Sequence, residues 1–127
     1  MTSYRSQKKN QRPHISIVCN FSRPTVTQPS LLTFQEVTTL FHEFGHALHG
    51  ILANTNYNGL SGTNVYWDFV ELPSQIMENW CYEPEALKLF AKHYQTEELL
   101  PQNLVEKIKK AAHFQQGLQT LRQLSFS

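Results

Sequence analysis

The chain has 127 residues, 40% of them hydrophobic and 17% charged, with a formal net charge of +1. That length suits one ordinary domain with its own core, and the near-neutral balance argues against a nucleic-acid or anionic-membrane partner. No apolar run is long enough to span a bilayer, and the N-terminus has no h-region, so no signal peptide is expected.

Residues 1–13 are polar and basic. Arg5, Lys8, Lys9 and Arg12 are too few and too spread for a nucleic-acid tail, so a mobile arm or loop is expected. Residues 14–20 then alternate, with Ile15, Ile17 and Cys19 on one face and Ser16, Val18 and Asn20 on the other. The alternation and the β-branched residues predict a short half-buried strand. Pro24 and Pro29 mark the loop that follows.

Residues 32–54 carry a helical pattern. Thr33 as N-cap and Glu36 three residues on form a capping box, and Leu32 against Val37 supplies a hydrophobic staple. Phe34, Leu40, Phe41, Phe44, Leu48, Ile51 and Leu52 fall within about 60° of Val37, which predicts one face packed on a core. His42, His46 and His49 fall on the far side, facing a cleft. His42 and His46 are four apart, displaced by about 40° and roughly 6 Å along the axis, so both imidazoles can close on one metal. Zinc takes such nitrogens at about 2.0–2.1 Å. Glu43, beside the first histidine, can reach a metal-activated water without ligating. His42-Glu43-Phe44-Gly45-His46 therefore reads as part of a hydrolytic zinc site. Gly45 and Gly50 each cost roughly 1 kcal/mol against alanine in a helix, and would permit close approach of another backbone.

The third ligand comes from elsewhere. His49 is roughly 10 Å along the axis from His42, too far to share the ion, and is assigned a packing or ligand-orienting role. A turn-rich stretch, residues 54–63, predicts a surface loop. A second helix is expected over residues 68–80, with Pro73 in its first turn. Returning antiparallel, that helix can bring its early residues, Asp68 and Glu71 among them, beside the histidines. Gln75 and Glu78 share Glu71's face and are candidates to orient ligands. Tyr66, Trp67, Phe69 and Trp80 are expected to pack. Pro84 opens a helix over residues 83–95 with Leu87, Phe90, Ala91 and Tyr94 as its apolar stripe. Pro101 opens a last helix with Leu104, Ile108, Ala111, Leu118 and Leu121 on its core side. His93 and His113 are solitary, and Cys19 and Cys81 form no CxxC pair, which predicts reduced thiols and a cytoplasmic setting.

HEFGHALHG followed by YNGLSGT, WDFVELPSQ and ENW resembles the catalytic core of the thimet oligopeptidase and peptidyl-dipeptidase family of zinc metallopeptidases. The flanking HISIVCNFSRP and AKHYQTEELLP are most similar to its bacterial dipeptidyl carboxypeptidase branch. The resemblance runs from the first residues to about Gln119. It implies a mainly α, zincin-like fold in which the HExxH helix lies against an antiparallel partner helix. One zinc ion would be held by His42, His46 and Glu71, with Glu43 as general base acting on short peptides. It also suggests that Gly59, Ser61, Gly62 and Thr63 pair with an extended substrate, a plain turn being the alternative. Family enzymes are several times longer, so residues 1–127 are expected to form part of a catalytic domain, without the downstream segment that orients substrate and stabilises the oxyanion. A zinc-binding but catalytically silent helical piece is therefore the competing reading.

Overall fold

The computed structural model describes residues 13–126, which form two compact units divided between Cys81 and Tyr82. Both are mainly helical. Apart from Pro13, the basic arm expected over residues 1–13 lies outside the described residues. No described helix is long and apolar enough to cross a membrane.

The strand expected over residues 14–20 does not form. Among the described residues the only ladder contact is an isolated bridge between Lys92 and Leu99. Burial still alternates, with Ile15, Ile17 and Cys19 half-buried and His14, Ser16, Val18 and Asn20 exposed. Alternation reports an extended backbone lying on a surface, whereas a strand also requires partner backbone in register. The pattern specified the face, and Ile15 uses it to pack over Gly50.

Helix α1, Phe34–Leu52, starts at the expected capping box. Glu36 N–H donates to Thr33 Oγ1 at 3.2 Å, and Thr33 N–H donates back to Glu36 Oε2 at 2.7 Å. The same carboxylate accepts from Ser22 N–H at 2.6 Å and from the Ser22 hydroxyl at 2.7 Å. It therefore ties the preceding loop to the helix start. The Thr33 N–H and then the Ser22 donors lower the Glu36 pKa from 4.5 to about 2. A depressed carboxylate contributes stability above its unfolded pKa that is lost as pH falls through the folded one. Urea midpoints should accordingly drop between about pH 4.5 and 2. Glu36→Gln should flatten that acid limb, and an unchanged limb would refute the assignment.

The apolar arc of α1 is less covered than its pattern predicts. Phe44 and Ile51 remain 44% and 50% exposed. The buried positions are Thr38, Gly45, Ala47 and Gly50, mostly small residues towards the histidine side. Within this chain it is that side which meets a neighbour.

The neighbour is α3, Leu72–Glu78, which follows the short α2, Trp67–Val70. The single helix expected over residues 68–80 is interrupted at Glu71, which closes α2 and caps α3. Pro73 lacks an N–H and cannot continue the ladder, but it fits the first turn of a new helix. A 3-10 turn, Asn79–Tyr82, then replaces the last expected helical turn. Successive contacts run in opposite senses. Thr38 meets Cys81, His42 meets Glu78, Gly45 meets Ser74 and His46 meets Glu71, so the two helices are antiparallel. At the closest point a Cβ on Gly45 would lie 2.5 Å from Ser74 Cα and 2.6 Å from the Pro73 carbonyl oxygen. Glycine is what permits this approach.

Two further expectations in this unit change. Ser61 and Gly62, expected on a surface loop, are buried. Gly62, at φ 57°, lies against Gly50. Tyr66 and Trp67, expected to pack, are almost fully exposed, and Trp80 is half-exposed, because residues 66 and 67 open α2 on its outer side. Cys81 is fully buried, which pushes its thiol pKa up. Both cysteines are free.

In the second unit α4, Pro84–Phe90, begins at the expected proline and ends five residues early. Ala91 leaves the helix, and Leu100 N–H donates to the Ala91 carbonyl while His93 N–H donates to that of Glu98. A hairpin-like turn thus takes the bonds a longer helix would use. The expected last helix is two, α5, Gln102–Ala112, and α6, Gln116–Leu124, broken at Gln115 with φ 55°. Its core residue is Val105, buried with Leu87, while Leu104, Ala111, Leu118 and Leu121 are exposed. Among the described residues of this unit, no titratable cluster forms beyond the Lys109 to Glu83 and Lys92 to Glu97 pairs.

Candidate metal centre

The α1 and α3 pairing assembles the site. His42 and His46 project from one face of α1, and the break at Glu71 places that carboxylate at the N-terminus of α3, opposite them. His42 Nε2 lies 3.2 Å from both His46 Nε2 and Glu71 Oε2. His46 Nε2 lies 3.1 Å from Glu71 Oε2. Among the described residues these three form a group able to hold one metal ion.

The triangle fits a small tetrahedral cation. Three donors on an ion with bonds of about 2.0–2.1 Å stand roughly 3.3 Å apart, close to the separations found. Three lone pairs converging on one point repel one another unless positive charge lies among them. The donor set, two imidazoles and one carboxylate, is one that suits zinc and leaves a fourth corner for water or substrate. Glu71 is also prepared as an anion. The Ser74 hydroxyl donates to Glu71 Oε2 at 2.8 Å and to the Glu71 carbonyl at 2.9 Å. That bond, with the two imidazoles adding to it against partial desolvation, holds the Glu71 carboxyl below the usual range.

The expected orienting residues separate clearly. Glu78 Oε1 lies 2.6 Å from His42 Nδ1. Gln75 is exposed and, among the described residues, makes no side-chain hydrogen bond to either histidine. His49 stacks edge-on to Phe69 with ring centroids 5.8 Å apart, and its Nδ1 is buried without a partner among the described residues. Asp68 sits exposed on α2 and is not one of the converging donors.

Glu43 and His46 open onto a cleft of about 240 Å³. Its walls are the extended residues 14–17, the α1 residues Ala47 and Gly50, and Ser61, Gly62, Thr63 and Asn64. Of the candidate substrate loop, Ser61, Gly62 and Thr63 reach this cleft. Gly59 does not, and stands in open space.

The family model for peptidase family M3 matches residues 1–127. This chain belongs to peptidase family M3. Oligopeptidase A of Escherichia coli (strain K12) is 52% identical over 117 residues, 91% of the M3 chain and 17% of that protein. Dipeptidyl carboxypeptidase of the same strain is 45% identical over 113 residues, 89% of this chain and 17% of the relative. Mitochondrial intermediate peptidase of Yarrowia lipolytica is 48% identical over 97 residues, 76% of this chain and 12% of that protein. The M3 chain thus spans about a sixth of the length of the curated relatives it matches.

Sequence reasoning missed Ser74, which fixes Glu71 in this M3 chain. A signal was present. A hydroxyl three residues after a carboxylate at a helix start has the spacing of a reciprocal cap.

Proposed function

We propose that this chain forms the zinc-binding catalytic region of an M3 peptidase that hydrolyses short peptides, releasing dipeptides or cutting internally. The observation that carries the reading is the convergence of His42 Nε2, His46 Nε2 and Glu71 Oε2 to within 3.2 Å of one another. In this reading the antiparallel α1 and α3 are the zincin-like core, and residues 1–127 belong to one catalytic domain. The cytoplasmic setting expected from the sequence is retained, with the free thiols of Cys19 and Cys81 in support.

His42, His46 and Glu71 would hold one zinc ion. Bound zinc would supply Lewis acidity that activates a water and polarises a peptide carbonyl. Glu43, half-buried at the cleft beside His46, accepts the proton of the attacking water and passes it to the leaving amine. No covalent intermediate on the protein is needed. Residues 14–17 and Ser61, Gly62 and Thr63, on the walls of the cleft, would bind the substrate backbone.

A second reading keeps zinc binding without turnover. It is favoured by the cleft itself, whose lining among the described residues offers no arginine, lysine or tyrosine to an oxyanion. A quenched oligopeptide assayed with zinc and then with chelator separates the two. Chelator-sensitive cleavage supports the peptidase, and stoichiometric zinc without cleavage supports the silent site.

A further inference from the structure

We propose that Glu78 is a positioning residue for the metal centre, fixing the rotation and tautomer of His42. This inference rests on the zinc-site reading above. His42 has two ring nitrogens, and the structure gives them different partners. Nε2 faces His46 and Glu71, while Nδ1 lies 2.6 Å from Glu78 Oε1. A carboxylate only accepts, so the proton of this bond sits on Nδ1. The Nε2 lone pair is then directed into the space shared with the other two donors.

The placement follows from the helix pairing. Glu78 is seven residues after Glu71, and on the antiparallel α3 that step carries it past His42 to the side away from His46. The two histidines therefore differ in support. His46 Nδ1 is buried with no partner among the described residues, so no hydrogen bond at that nitrogen orients its ring, whereas the His42 ring is held at Nδ1 by a short hydrogen bond to Glu78. Glu78 and His42 side chains are about a third exposed at most. A bond of 2.6 Å there is better explained as an oriented pair than as a solvated surface contact. The bland alternative is a staple between α1 and α3 that serves stability only.

Zinc affinity of the full chain, measured by competition with a chromophoric chelator, tests this together with the imidazole N–H resonances of the zinc-loaded protein. Glu78→Ala should bind zinc about 10–100-fold more weakly and lose the downfield His42 Nδ1–H signal. Glu78→Gln, whose amide oxygen still accepts from Nδ1, should keep that signal and bind several-fold more weakly, on the order of the smaller effect. A structural staple would lower the melting temperature of the apo chain and leave both readouts unchanged. Parental affinity with a retained resonance in Glu78→Ala overturns the positioning role. If that variant loses its helical circular dichroism, parental affinity in Glu78→Gln overturns it instead. Failure of the parent to bind zinc overturns both this inference and the reading beneath it, whereas equal binding by parent and variants overturns this inference alone.

Discussion

Gly45→Ala is expected to destabilise the chain and to weaken its metal site, although alanine is the better helix former. The added Cβ would lie 2.5 Å from Ser74 Cα, 2.6 Å from the Pro73 oxygen and 2.9 Å from the Pro73 carbonyl carbon. All three are backbone atoms, so no side-chain rotation relieves the clash. Reaching ordinary contact, about 3.5 Å or more between carbons, requires α3 to move by roughly 1 Å. Overpacking of this kind costs about 1–3 kcal/mol, against a helix-propensity gain of about 1 kcal/mol. Glu71 and Glu78 sit on either side of Ser74 on the segment that must move. Metal bonds tolerate displacements of only about 0.2 Å, so the loss in zinc affinity should exceed the loss in stability. Chelator competition and urea unfolding on the same variant measure the two. Gly50→Ala is the control, because the three atoms nearest its Cβ all belong to the Ile15 side chain, the closest at 2.7 Å, and that chain end can turn away. Equal zinc affinity in Gly45→Ala and the parent would show that the close approach does not set the site.

The residues that made this site legible were those whose spacing is itself chemistry. His42 and His46 could be paired because a helix fixes the azimuth of residues four apart, and the Thr33 and Glu36 cap because its bonds are local. Topology pointed to the early residues of the second helix, and family resemblance singled out Glu71 among them; its facing of both histidines depends on a helix break that Pro73 announced only in part. Partners distant in sequence were not legible. The alternation over residues 14–20 specified a face but no ladder, and the apolar arc around Phe44 and Ile51 specified a buried face that these residues do not cover. Surface and core were also exchanged where backbone, not side chain, does the packing. Ser61 and Gly62 read as turn residues, yet both are buried, Gly62 against Gly50. In the second unit, Val105 was overlooked in favour of Leu104 because a period of 3.6 places the core stripe to within only one residue.

Glu43→Gln and Glu71→Ala should fail in opposite ways, and the contrast separates the proton-transfer role from the ligand role. Glutamine keeps the size of Glu43 and removes its capacity to take a proton. Glu43 lines the cleft and is no part of the ligand triangle, so zinc content should stay at the parental stoichiometry. Turnover of the quenched peptide should fall by about 10²–10⁴-fold, the usual contribution of a general base, and the loss should appear in kcat with KM little changed. Glu71→Ala removes the one anionic corner and leaves two imidazoles separated by 3.2 Å with no charge to balance a cation. Zinc should then be lost on dialysis, with cleavage falling in proportion to the metal. The Ser74 hydroxyl also loses its carboxylate partner but keeps the Glu71 carbonyl, so α3 retains its first-turn bond and the apo chain should stay helical. Parental turnover in Glu43→Gln would remove the assigned base. Stoichiometric zinc in Glu71→Ala would remove the third ligand, and with it the reason for bringing α3 to the histidines at all.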